Sequence, residues 1–115
     1  MSGTNLGTVG FNRTRIQTKT SAYTFVPATD NGGLLLVNVS STVAVTLPNN
    51  GTPGDYGSLM QTGSAKVTLA AASGGTLQSP HTFLGTYQIY SVITWICIAN
   101  VGGSAAVWVF GGDGS

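Results

Sequence analysis

From Ala22 onward, short runs of β-branched, aliphatic and aromatic residues alternate with clusters of Gly, Asn, Ser, Thr and Pro, which predicts strands and turns at close spacing. Residues 22–26 make a first strand, stopped by Pro27. Asp30-Asn31-Gly32-Gly33 then turns the chain into an apolar run at 34–39. In Val43-Ala44-Val45-Thr46-Leu47 large and small side chains alternate, so Val43, Val45 and Leu47 share one face, and Pro48 ends the run. Residues 56–61 follow as a strand. A break at 62–65 suggests a hairpin to 66–70, with Val67 and Leu69 inward and Lys66 and Thr68 outward. Short strands are expected at 76–78 and 86–90, and a C-terminal hairpin joins 92–99 to 105–110 through Asn100-Val101-Gly102-Gly103-Ser104.

That last hairpin has no polar face. Ile93, Trp95, Cys97 and Ala99 form one alternate set of its first strand, and Val92, Thr94, Ile96 and Ile98 the other. In the second strand Val107 and Val109 oppose Trp108 and Phe110. An antiparallel sheet with one wet face alternates apolar and polar, so this hairpin is expected to be covered on both sides. A chain this small has one core for one of those faces, which leaves the other to a partner. Val92, Trp95, Ile96, Ile98, Val107, Trp108 and Phe110 are therefore the candidates for core or oligomer interface.

Composition strengthens this reading. The chain has 115 residues, room for one domain. Its mean hydropathy is +0.25, and only 6% of its residues are charged, against roughly 25% in ordinary soluble chains. A surface with so few charges tends to associate, and no charge has to be desolvated when it closes. Seventeen Gly, many Thr, Val and Ser and no Glu at all serve helices poorly. The fold class that follows is all-β: a single antiparallel β-sandwich, jelly-roll-like, of about eight short strands.

Residues 1–20 read differently, as an extended N-terminal arm ahead of a sandwich domain at 21–115. Apolar residues are sparse there, and Arg13, Arg15 and Lys19 stand without one acid, whereas the rest of the chain has only Lys66 against Asp30, Asp55 and Asp113. The three arm cations are expected to lie against a neighbouring subunit or an acidic partner surface. The first residues lack a basic start and an apolar h-region, and apolar stretches break well short of the roughly 20 residues of a spanning helix, so the expectation is a protein made in the cytoplasm with no membrane partner.

Chemistry finds little to work with. The single Cys97 allows neither an internal disulfide nor a multi-cysteine zinc site, and its apolar neighbours predict a buried small hydrophobe. Glycoside hydrolysis needs a carboxylate pair, but Asp30, Asp55 and Asp113 all fall in turns, where Asp commonly bonds its own backbone. His81 beside Ser79 lacks a nucleophile-elbow motif and reads as a loop histidine. Scattered carboxylates do not suit calcium, and the Gly-rich segments lack P-loop spacing. One Lys beyond the arm is too little for nucleic acid. The expectation is a non-enzymatic protein with no catalytic site, metal or cofactor. Tyr23, Tyr56, Tyr87, Tyr90, Trp95 and Trp108 could include a sugar-stacking platform, although strand aromatics more often serve core or interface.

Three segments, Tyr23-Thr24-Phe25, Asp30 to Asn38 and Val43-Ala44-Val45-Thr46-Leu47-Pro48, followed by a Gly-led strand from Gly57 and by Trp108-Val109-Phe110-Gly111-Gly112-Asp113, resemble a β module recurrent in bacteriophage virion proteins. The resemblance spans roughly 23–113. It implies a virion role, commonly as a trimer, in fibres, spikes, collars or capsid-surface proteins. Because the module stands almost alone behind a short arm, the resemblance favours a capsid decoration, or cement, protein: a homotrimeric knob bound to the major capsid protein on the capsid surface and made in the bacterial host cytoplasm. The alternative it leaves open is a tail fibre, spike or collar component that binds a receptor or glycan.

Overall fold

The computed structural model describes residues 13–80 and 84–115. Within them the chain forms nine strands, two facing sheets and almost no helix. The strands are β1 (Ile16–Lys19), β2 (Tyr23–Thr24), β3 (Leu34–Val37), β4 (Val43–Leu47), β5 (Tyr56–Gln61), β6 (Val67–Ala71), β7 (Thr76–Gln78), β8 (Val92–Asn100) and β9 (Ala106–Gly112). Pro27 opens a single helical turn, α1 (Pro27–Asp30), at the corner between β2 and β3, where its fixed φ suits a first helical position. The all-β expectation holds.

The direction of pairing differs from the antiparallel jelly roll that the turn spacing suggested. The chain passes from one sheet to the other at each corner, so β1, β3 and β5 run parallel in a six-stranded sheet and β2, β4 and β6 run parallel in a three-stranded one. The expected hairpin between 56–61 and 66–70 is absent, because β5 and β6 belong to different sheets. Corner hydrogen bonds give the reason. Asn38 N–H donates to Lys19 O, Thr62 N–H to Val37 O and Ala65 N–H to Val39 O, so each corner bonds to the preceding coil and not across a reverse turn. Leu34 pairs with Ser58 and Val43 with Val67, a step of 24 residues in both sheets. Coils that repeat at a fixed step and touch only their neighbours are the logic of a solenoid.

Antiparallel pairing is confined to the C-terminal part. The expected hairpin is present: β8 lies beside β5, and β9 beside β8, with β7 parallel to β9 at the far edge. Residues 86–90 do not form a strand. Only Gly85 and Thr86 make isolated bridges, after which Gln88 to Ser91 close a turn in which Tyr90 adopts a φ of 71°. The arm expectation is also shortened, since the sheet already begins at Ile16. A parallel edge strand needs little apolar pattern of its own: Leu34 N–H donates to Arg15 O, and the Gln17 side chain donates to Asp30.

Between the sheets lies one core. Leu35, Val37, Leu59, Ile93, Trp95, Cys97, Trp108 and Phe110 from the larger sheet meet Phe25, Val45, Leu47, Val67 and Leu69 from the smaller side. The Phe25 ring meets the edges or faces of both tryptophans, with ring planes at 80° to Trp95 and 89° to Trp108. Gly57 makes room for this cluster: a Cβ there would lie 2.8 Å from the Phe25 ring. The Trp108 indole N–H donates to Pro48 O, whereas the buried Trp95 Nε1 has no hydrogen-bond acceptor.

Candidate interaction surface

Period two decides which side chains leave the core. In β8 Ile93, Trp95 and Cys97 are buried, so Val92, Thr94, Ile96 and Ile98 project outward from the six-stranded sheet. In β9 Trp108 and Phe110 turn in, and Val107 and Val109 turn out. The structure thus divides the seven residues expected at core or interface: Trp95, Trp108 and Phe110 are core, while Val92, Ile96, Ile98 and Val107 lie on the outer face.

Register extends that face across β5, β3 and β1. One cross-strand row is Thr18, Leu36, Met60 and Val92, and the next is Ile16, Leu34, Ser58, Thr94 and Gly111. A third holds Tyr56, Ile96, Val109 and Gln78. The register of β8 against β9 shifts between Cys97 and Ala99, which makes Ile98 an additional residue beside Val107. Such a bulge re-aims side chains where a sheet serves a site. Ile16, Tyr56, Ile96 and Ile98 are 61%, 49%, 44% and 53% exposed. None of these outward residues carries a charge. Two of its central polar atoms satisfy each other, with Ser58 Oγ and Thr94 Oγ1 3.0 Å apart.

The arm cations lie beside this face, at the edge of the first coil. Arg13 and Arg15 are exposed, and the Arg15 guanidinium donates to Thr29 O at 3.0 Å. Lys19 Nζ sits 3.9 Å from the centre of the Tyr23 ring, a cation–π contact. Arg15 and Lys19 therefore help to hold β1 against its own coil.

Asp30 was expected to serve only its own turn, and it does more. It is 2% exposed, and its oxygens accept from Tyr23 OH at 2.6 Å, Gln17 Nε2 at 2.8 Å, Val26 N–H at 2.9 Å and Thr29 Oγ1 at 3.2 Å. Burial alone would raise its pKa. The donors from Tyr23, Gln17, Val26 and Thr29 outweigh that effect and hold the carboxyl below its ordinary value. Burial, then the bond to Asp30, pushes Tyr23 up to about 12. With every donor intramolecular, this cluster is a corner lock. No sequence motif signals it, because its residues come from β1, β2 and α1.

Asp55 behaves as its turn predicts, accepting from Thr52 N–H. Asp113 follows β9, and its carbonyl accepts from Tyr87 N–H. Cys97 is buried, which pushes its thiol pKa up. The loop reading of His81 lies outside the described residues. Among the described residues no three His, Cys, Asp or Glu side chains cluster in a way that could hold a metal ion, and no helix is long and apolar enough to cross a membrane. Of the candidate stacking aromatics, Tyr87 and Tyr90 are 65% and 69% exposed on the turn before β8, and both tryptophans are core.

No protein-family model, no curated protein and no solved structure matches this chain.

Proposed function

We propose that the protein is a non-enzymatic structural component of a bacteriophage virion, a capsid decoration (cement) protein that forms a homotrimer and binds the outer capsid surface. The observation that carries the self-association is the charge-free outer face of the six-stranded sheet, from Ile16 and Leu34 across to Ile98 and Val107. Covering a half-exposed aliphatic side chain contributes about 1 kcal/mol, and fixing two subunits together costs at least several. Association therefore needs the whole face and no single residue supplies it. The virion assignment and the trimer rest on the resemblance that spans roughly 23–113.

Sedimentation of the purified protein tests the first half of the proposal: a trimer is expected at micromolar concentration, and a compact monomer that persists at high concentration overturns it. Labelling of native particles tests the second half, with many copies distributed over the capsid as the expected result. A second reading is favoured by the exposed Tyr87 and Tyr90: a tail fibre, spike or collar module that stacks a glycan on those rings. It predicts few copies per particle, at the tail, and loss of adsorption in Tyr87→Ala and Tyr90→Ala.

A further inference from the structure

The two ends of the coil are finished differently. At one end β6 is covered: Leu69 N–H donates to Leu84 O, Thr86 N–H donates to Val67 O, and Thr68 bridges Gly85. The approach is so close that a Cβ on Gly85 would lie 2.1 Å from Val67 O. In the larger sheet the edge of β5 is taken by the antiparallel strand β8. At the other end β1 and β2 are the outermost strands of their sheets, and no described residue pairs with their far sides.

β1 uses its groups selectively. Arg15 O and Lys19 O accept from Leu34 and Asn38 N–H, so alternate residues face β3 and the backbone groups of Ile16 and Thr18 face the open side. Proteins usually blunt such an edge with a proline, a bulge or a covering segment, and β1 has neither proline nor bulge. Its one protection is charge. Arg13, Arg15 and Lys19 fall within seven residues, and the nearest acid, Asp30, is buried with its oxygens occupied. Two copies of this edge repel each other, so charge excludes self-pairing and favours a strand of opposite sign.

We propose that the open edge of β1 is a strand-addition site that takes an extended, acidic segment of a partner protein. Backbone groups of Ile16 and Thr18 supply the ladder, and Arg13, Arg15 and Lys19 select the sign of charge. The site involves an edge, not the apolar outer face, and stands whether or not that face assembles copies of the chain.

Selection from a ribosome-displayed library of random octapeptides, using the full chain as bait, tests this. Enriched peptides are expected to be acidic β-formers, and an enriched synthetic peptide is expected to shift the amide resonances of Ile16 and Thr18. Thr18→Pro removes an edge N–H that β3 does not use, and proline is tolerated at edges, so this variant should keep its fold and bind about tenfold more weakly. Arg13→Glu, at an exposed position, should weaken binding about fivefold, and high salt should do the same. No enrichment, enrichment of neutral or basic peptides, or equal binding by both variants overturns the proposal. Binding that appears only after removal of residues 1–12 also overturns it, since the edge would then serve the chain itself. Oligomeric state is measured in parallel, so a monomer that still binds acidic peptides contradicts only the outer-face reading.

Discussion

On the outside of the three-stranded sheet the chain places Thr24, Ala44, Thr46, Thr68 and Ala70; on the outside of the six-stranded sheet it places Ile16, Leu34, Leu36, Met60, Val92, Ile96, Ile98, Val107 and Val109. Both sets project outward by the same period-two rule, and both are free of charge. Side-chain size separates them. Thr and Ala expose little apolar area and bring hydroxyls that water can bond, as Thr68 also bonds Val43 O. Ile, Leu and Val offer area with no polar compensation, and water gains when they are covered. Lack of charge therefore makes a surface permissive for contact, while aliphatic bulk makes contact favourable.

The largest effect should come from placing charge on the aliphatic face. The double variant Ile96→Lys, Ile98→Lys would force two ammonium groups per subunit into a closed contact, and association should weaken by about 100-fold or more, read by sedimentation. Its melting temperature at low concentration, where no partner is bound, should stay close to that of the parent monomer.

Next in size is a change to the fold beneath both faces. Asp30→Asn leaves Tyr23, Gln17, Val26 and Thr29 with a weaker acceptor and should cost about 1–3 kcal/mol by denaturant unfolding. The sign with pH follows from the depressed carboxyl: its stabilisation is present above the unfolded value near 3.9 and is lost as pH falls through the lower folded value. The parent should lose stability below about pH 4 more steeply than Asp30→Asn. Tyr23 acts in the opposite direction. With its folded pKa raised to about 12, its contribution is full below pH 10 and disappears as pH rises toward 12, and Tyr23→Phe should flatten that alkaline loss.

The smallest effects sharpen the contrast. Thr46→Lys puts the same charge on the Thr/Ala face and should change stability by less than about 0.5 kcal/mol, with the oligomer intact. Raising NaCl from about 0.05 to 0.5 M should alter association of the parent by less than about twofold, since no ion pair is screened. A steep salt dependence would show that the contact uses Arg13, Arg15 or Lys19 instead.

Alternation was enough to place individual side chains. Val45, Leu47, Val67, Leu69, Trp95, Cys97 and Trp108 are buried where period two put them, and the doubly apolar β8–β9 hairpin does present a greasy outer side. Strand direction was not legible from the same pattern, because parallel and antiparallel strands share a period of two. The missed signal was a repeat. Leu35 and Leu59, Val43 and Val67, and Val45 and Leu69 recur 24 residues apart with no insertion, and that regularity distinguishes stacked coils from hairpins. β1 escaped notice since its pairing rests on backbone and on Gln17, with Ile16 facing out. The Asp30 cluster escaped for a related reason: its donors converge only when the first coil closes.

The constant 24-residue step has an engineering meaning. Each coil contributes one strand to both sheets, so a duplicated copy of residues 34–57, inserted after Gly57, should slot in as an extra storey and lengthen the molecule by one strand spacing, roughly 4.8 Å. Height becomes adjustable in whole units, with the aromatic cap and the cationic foot left as they are.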